Sequence, residues 1–196
     1  MNRAVFLDRD GVLIEDVGLL ADHASIRVLP GVAQSLSALR AAGYRLIVVS
    51  NQTVVARGLA TEDDVLKIHR RLQEELNAVI EPSVPPQIDA WYFCPHHPHA
   101  DVAEYRRPCD CRKPLPGMLL KAAGIFDVDL TASVMIGDRL TDVAAGTAAG
   151  CRTVLVQTGR HDAPPIVGGA EASAAAKPDH VCADLSAAGR WILAER

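Results

Sequence analysis

No stretch of this chain approaches the roughly 18 consecutive apolar residues that a membrane-crossing helix requires. The amino terminus passes almost at once into a strand pattern, without the basic, apolar and small-residue regions of a secretory leader. Neither a membrane span nor export is therefore expected, and the cytoplasm is the expected location. An excess of positive charge is also missing. The formal net charge is −4 with acids and bases interspersed, so no stripe for nucleic acid and no polybasic patch for a membrane surface stands out. An anionic small molecule would have to be held by local positive charge. There is no internal repeat, and a monomer is expected.

What is present suits one soluble domain covering 1–196, because 49% hydrophobic content in 196 residues can build a substantial core. The run Val5 to Leu7 stops at Asp8-Arg9-Asp10-Gly11, which predicts a buried strand ending in a tight turn. An irregular connection reaches Leu29-Pro30-Gly31, and Val32, Leu36 and Leu39 then recur at helical spacing up to Gly43. Arg45 to Val49 reads as a second strand, followed by Ser50-Asn51-Gln52-Thr53. Thr61 to Asp64 resembles a capping box, and Val65, Ile68, Leu72, Leu76 and Val79 carry an amphipathic helix toward Pro82. A short strand is expected over Ile88 to Phe93, then a turn-rich segment from Cys94 to Pro116. A helix over 117–123, a strand over 134–136 before Gly137-Asp138, a helix over 141–149 and a strand over 153–156 follow. The Gly/Ala/Pro-rich stretch 159–178 is expected to be a mobile surface loop, with an edge strand at His180-Val181 and a helix over 185–194 after it.

Alternating strands and helices imply right-handed crossovers, hence an α/β fold with a mostly parallel sheet covered on both faces. Function in such sheets sits beyond the carboxyl ends of the strands. Asp8 and Asp10, Ser50 and Asn51, and Gly137 and Asp138 all fall at such ends. Two neighbouring acids repel each other, and a hard cation such as Mg2+ is the simplest stabilising partner. These residues supply the parts of a phosphoryl transfer to a carboxylate. Asp8 can attack phosphorus, Asp10 can protonate the leaving oxygen and later activate water, and Asp138 can complete the cation site. The Ser50 hydroxyl and Lys113 can hold the phosphoryl oxygens. Asp142 has two readings, as a first-turn helix acid favoured by the dipole or as a support for the metal site. Arg9 reads as a structural or rim residue.

The ordered set Asp8-Arg9-Asp10-Gly11, Ser50-Asn51, Lys113 and Gly137-Asp138 resembles the haloacid dehalogenase superfamily of aspartate-nucleophile phosphatases. Ser50-Asn51-Gln52, Ala56-Arg57-Gly58, Cys94-Pro95-His96-His97 and Cys109-Asp110-Cys111-Arg112-Lys113-Pro114 extend the likeness. It reaches the D-glycero-D-manno-heptose-1,7-bisphosphate phosphatases and their relatives, the histidinol-phosphate phosphatases, over roughly residues 3–160. The resemblance implies a three-layer Rossmann-like fold with no large cap domain, in which short loops shape the pocket for a small phosphorylated sugar. It implies that Asp16, Val17, Gly18 and Leu19, Ser50, Asn51, Gln52 and Thr53, and Arg112 and Lys113 line that pocket. Arg139 is implied to lend a backbone carbonyl near the Mg2+ held by Asp8, Asp10 and Asp138. Two departures bear on the sugar. Val17-Gly18-Leu19 stands where close relatives often carry His-Gly-Tyr, and Thr53-Val54 where they carry Ser-Gly.

Three of the five cysteines gather around histidines between residues 94 and 111, which in a reducing compartment favours metal over disulfide. Cys94, Cys109 and Cys111 with a histidine make a Cys3His set suited to structural Zn2+. His97 and His99 compete as donors, and the family motif favours His96. Cys151 and Cys182 read as core residues. Within the phosphatases, histidinol phosphate is the alternative substrate. The competing class is a zinc-stapled binding module, against which the complete acid set and the negative net charge argue.

Overall fold

The structure, a computed structural model, describes residues 1–79, 84–160 and 176–194. Six parallel strands form one sheet: β1 (Arg3–Leu7), β2 (Tyr44–Asn51), β3 (Ala90–Cys94), β4 (Val134–Gly137), β5 (Arg152–Val156) and β6 (His180–Cys182). Their spatial order is β3-β2-β1-β4-β5-β6. The chain winds outward from β1 in one direction through β2 and β3 and returns to the other side of β1 for β4. That reversal opens a crevice between the carboxyl ends of β1 and β4, where open α/β sheets bind ligands.

The strands read as continuous apolar runs because both faces are covered. Alternation within each run decides the face: Val5, Leu7, Leu46, Val48, Val134 and Ile136 join one core, and Phe6, Ile47, Val49 and Met135 the other. Helices α1 (Val32–Ala41), α3 (Glu62–Asn77) and α6 (Leu185–Ala194) pack on the first face, and α4 (Gly117–Phe126) and α5 (Leu140–Ala149) on the second. Between β2 and α3 lies a one-turn helix, α2 (Thr53–Ala56), too short for periodicity to announce. This is the three-layer α/β sandwich expected from the sequence. α3 opens on a full capping box, Thr61 Oγ1 accepting from the Asp64 N–H and the Asp64 carboxylate accepting from the Thr61 N–H. The expected approach of that helix to Pro82 and most of the stretch 159–178 lie outside the described residues.

The strands run further than their apolar cores. Ser50 and Asn51 are the last residues of β2, because pairing of Ser50 with Phe93 and of Asn51 with Cys94 extends the ladder. The Cys/His segment therefore begins level with the residues that end β2. The turn after β1 also needs its glycine. Gly11 has φ +77°, and a Cβ there would fall 2.5 Å from Asp138 Oδ2. Gly137 has the same role across the crevice, since its Cβ would overlap the Asp142 side chain. Two missing side chains thus let the turn after β1 and the start of α5 close on one point.

Candidate active site

At that point lies Lys113, 3% exposed. Its Nζ donates to Val49 O at 2.8 Å and pairs with Asp8 Oδ1 at 3.0 Å and with Asp142 Oδ1. Burial alone would drive the ammonium to release its proton, but Asp142 and Asp8 more than reverse this and raise its pKa. Asp8 stands one residue beyond β1, its N–H donating to Ile136 O at 2.9 Å and its Oδ1 accepting from the Arg9 N–H at 2.8 Å. Burial raises its pKa against the pull of Lys113. Asp142 is the first-turn acid of α5 and also reaches the buried lysine. Its Oδ2 accepts from the Arg139 N–H at the start of α5, while its Oδ1 faces Lys113.

Asp138, 0% exposed, closes the group. Carboxylate oxygens of Asp8, Asp138 and Asp142 lie within 4.8 Å of one another. Asp138 Oδ2 accepts from the Arg160 N–H at 2.6 Å, and its Oδ1 is buried with no hydrogen-bond partner among the described residues. Burial, then Asp142 and Asp8, push its pKa up to about 7. Three acids around one cation leave a negative surplus with an orphaned oxygen, which fits a hard divalent ion.

The Asp10 carboxylate turns away from this group. Arg9 Nη2 donates to both its oxygens at 3.0 and 2.9 Å, and Gln52 Nε2 donates to Oδ2 at 3.0 Å. Arg9 is 1% exposed, so its structural reading holds and the rim reading does not. Ser50 and Gln52, expected from the resemblance to line the pocket, are buried and are not among the residues that line the cleft. The cleft itself, about 280 Å³, is lined by Asp8, Asp10, Lys113 and Asp142 on its floor. Asp16, Gly18, Leu19, Asn51, Thr53, Arg112 and Arg139 also line it, whereas Val17 points to solvent at 51% exposure.

Asp16 contacts protein throughout: it accepts from the Gly18 N–H, from Arg139 Nη2 at 3.2 Å and from Arg160 Nε at 2.8 Å. Asn51 exchanges two hydrogen bonds with the Lys113 backbone, donating at 3.0 Å and accepting at 3.1 Å. Three cleft residues were not expected from the sequence: Arg57, His97 and Thr141. Arg57 had a usable signal, because it lies four positions after Thr53 and so on the same side of α2.

Beside the cleft, Cys94, His96, Cys109 and Cys111 offer ligand atoms all within 4.8 Å of one another. A tetrahedral zinc with Zn–S near 2.3 Å and Zn–N near 2.0 Å needs sulfurs about 3.8 Å apart and sulfur to nitrogen about 3.5 Å. The Cys94–Cys109, Cys94–His96 Nδ1 and Cys111–His96 Nδ1 separations are 3.6, 3.7 and 3.4 Å. Of these four separations, the 2.9 Å Cys111–Cys94 pair has to open. The hydrogen bond between the two lowers the Cys111 thiol to about 5 and raises that of Cys94, while burial raises Cys109, so without a metal the cluster favours a single thiolate, on Cys111. His97 faces elsewhere, its Nδ1 accepting from the His99 N–H. Arg112 Nη1 donates to His96 O at 3.0 Å, so the cluster anchors a cleft residue. Cys151 packs in the second core, where burial pushes its thiol up to about 12.

A family described as HAD-hydrolase-like matches residues 110–188. The chain is 42% identical over 192 residues to a D-glycero-D-manno-heptose-1,7-bisphosphate 7-phosphatase of Thermosynechococcus vestitus, covering 96% of this chain and 94% of that one. It is 40% identical over 172 residues to the corresponding enzyme named from Yersinia pestis, covering 87% of each. The chain belongs to the heptose-1,7-bisphosphate 7-phosphatase family of HAD-like hydrolases. Among solved structures, a D,D-heptose 1,7-bisphosphate phosphatase from B. bronchiseptica, complexed with magnesium and phosphate, superimposes with a TM-score of 0.80 at 33% identity. That match covers 99% of both chains. The protein is accordingly a phosphatase, and the haloacid dehalogenase resemblance read from its motifs is correct. Among the described residues no helix is long and apolar enough to cross a membrane.

The raised Asp138 pKa has a sign that can be measured. In the folded, Mg2+-free phosphatase the group ionises near 7 instead of 3.8, so its charge destabilises the fold increasingly as pH rises through that window. Asp138→Asn removes the charge and keeps the shape. Urea unfolding without divalent cation is expected to find the variant more stable than wild type at pH 8, on the order of a few kcal/mol, with a much smaller gain at pH 5. A variant no more stable at pH 8 than at pH 5, relative to wild type, would contradict the electrostatic account.

Proposed function

We propose that this phosphatase removes the 7-phosphate of D-glycero-D-manno-heptose 1,7-bisphosphate through a phosphoaspartate on Asp8. The observation that carries the reading is the Asp8 carboxylate, exposed to the cleft floor at the β1/β4 crevice and held there by the buried Lys113. Asp8 attacks phosphorus in line with the sugar oxygen. Asp10, oriented by Arg9 and Gln52, gives that oxygen its proton, then takes one from the water that opens the acyl phosphate. Ser50 donates to the phosphoryl oxygens, while the Lys113 ammonium, its three hydrogens taken by Val49, Asp8 and Asp142, stabilises them through its charge. The carboxylates of Asp8 and Asp138, with the backbone carbonyls of Asp10 and Arg139 as further oxygen donors, would hold Mg2+. The ion supplies charge neutralisation between phosphate and carboxylate.

The 7-phosphatase reading is supported by the names of the relatives and by the cations along the cleft. Arg57, Arg112 and Arg139 surround the space beyond the phosphoryl site, suiting a substrate with a second phosphate. Zn2+ on Cys94, His96, Cys109 and Cys111 would fix the segment that carries Arg112 and Lys113, in a stretch with little apolar core of its own.

Asp8→Asn is expected to lower turnover on heptose bisphosphate by roughly a thousandfold or more, since no other carboxylate replaces the nucleophile. Assayed beside histidinol phosphate, the bisphosphate is expected to be the better substrate, with heptose 1-phosphate and inorganic phosphate as products. Wild-type turnover in Asp8→Asn would remove the nucleophile assignment, and a preference for histidinol phosphate would remove the substrate. Elemental analysis of protein purified without chelator is expected to find about one zinc per chain, lost in Cys109→Ser; zinc-free wild type would refute the structural site.

A further inference from the structure

Gln52 is 3% exposed and lies under the cleft rather than on its wall. Its neighbours fix which way its amide points. Arg9 Nη2, which can only donate, lies 2.9 Å from Oε1, and the Asp10 carboxylate lies 3.0 Å from Nε2. A flipped amide would set N–H against a guanidinium and C=O against a carboxylate at the same time. The remaining Nε2 hydrogen faces Ser50 Oγ at 2.5 Å. Ser50 therefore accepts from Gln52, and its own proton is left to point elsewhere.

Arg9 secures this arrangement from below. Its guanidinium, 1% exposed, meets Asp10 through Nε at 3.3 Å and through Nη2, the same nitrogen that holds Gln52. With its oxygen taken by Arg9 and both amide hydrogens used, Gln52 has no strong group left for a substrate.

We infer that Gln52, backed by Arg9, is a positioning residue that turns the Ser50 hydroxyl into a fixed donor toward the phosphoryl group and holds the Asp10 carboxylate in line for proton transfer. One amide thereby joins the group that stabilises phosphoryl charge to the group that moves the proton. The inference rests on the roles given above to Asp8, Asp10 and Ser50.

The two arms of Gln52 can be read separately with two esters. Heptose bisphosphate loses an alkoxide that needs a proton, whereas p-nitrophenyl phosphate loses a phenolate that does not. Read as kcat/KM, which reports phosphoryl transfer to Asp8 and not the later hydrolysis in which Asp10 serves both esters, Gln52→Leu is expected to cost roughly tenfold on p-nitrophenyl phosphate, through Ser50. On heptose bisphosphate the expected loss is roughly a hundredfold, through Ser50 and Asp10 together. In a Ser50→Ala background the same substitution is expected to cost less than about threefold on p-nitrophenyl phosphate, because the hydroxyl it orients is gone. If Gln52→Leu fails to fold, Gln52→Met keeps the chain length and volume, loses the donors without adding a charge beside Asp10, and carries the same expectations. Equal losses on the two esters with full additivity in the Ser50→Ala background would show a merely structural residue and overturn the inference. Retained turnover in Asp8→Asn would instead overturn the reading beneath it, so the two failures are distinguishable.

Discussion

Everything at the site depends on one buried ammonium. Lys113 sits among Asp8, Asp142 and the Val49 carbonyl with almost no access to water. Removing one partner from such a cluster typically costs about 3–5 kcal/mol, because the other charge is left uncompensated. The fold therefore needs Lys113 in place, and several features deliver it. Asn51 grips its backbone with two hydrogen bonds from the end of β2, and the Cys/His cluster ends at Cys111, two residues earlier. Asp142 reaches it only because Gly137 leaves room for the start of α5. A single cation does not balance three acids, so the same cluster that fixes Lys113 also creates demand for a second positive charge beside Asp138. In the proposed reaction, a carboxylate held between Lys113 and a second cation would accept a phosphoryl group without prohibitive repulsion.

The proposed division of labour between the two neighbouring aspartates rests on where each carboxylate is turned. Asp8 continues the β1 ladder by one residue and faces Lys113, while Asp10 lies past the turn and is gripped by Arg9 and Gln52. Around them, among the described residues, loops line the rest of the cleft. Asp16 shapes the first loop through the Gly18 N–H and the two arginines, so that loop holds its form with Val17 and Leu19 at its surface. Val17 and Leu19 therefore bear on what the loop offers a ligand more than on how the loop is built.

Much of this could be read from the sequence because strand ends are legible. Apolar runs that stop at Asp8, at Ser50 and at Gly137-Asp138 locate the carboxyl edge of the sheet, and the capping box at Thr61 announces α3 by its residue types alone. Strand length was less legible, since Ser50 and Asn51 belong to β2 only through pairing with β3, a long-range contact without local signal. Side-chain direction was not legible at all. Gln52 is a polar residue after a strand, and nothing local says that its amide points down to Arg9 rather than up into the cleft. Arg9 was ambiguous for the same reason, because a long cation next to two acids can lie at a rim or under a floor. The cleft positions of Arg57 and His97 depend on how α2 and the Cys/His segment approach each other, which spacing alone does not fix.

The central claim is that Asp8 carries the phosphoryl group. Acid quenching within milliseconds of mixing the Mg2+-loaded enzyme with phosphate-labelled heptose bisphosphate, followed by peptide mapping, tests it directly. Label is predicted on the peptide containing Asp8, stable to acid and released by hydroxylamine as an acyl phosphate should be. Pre-steady-state turnover with no protein-bound label, or label on another residue, would contradict it.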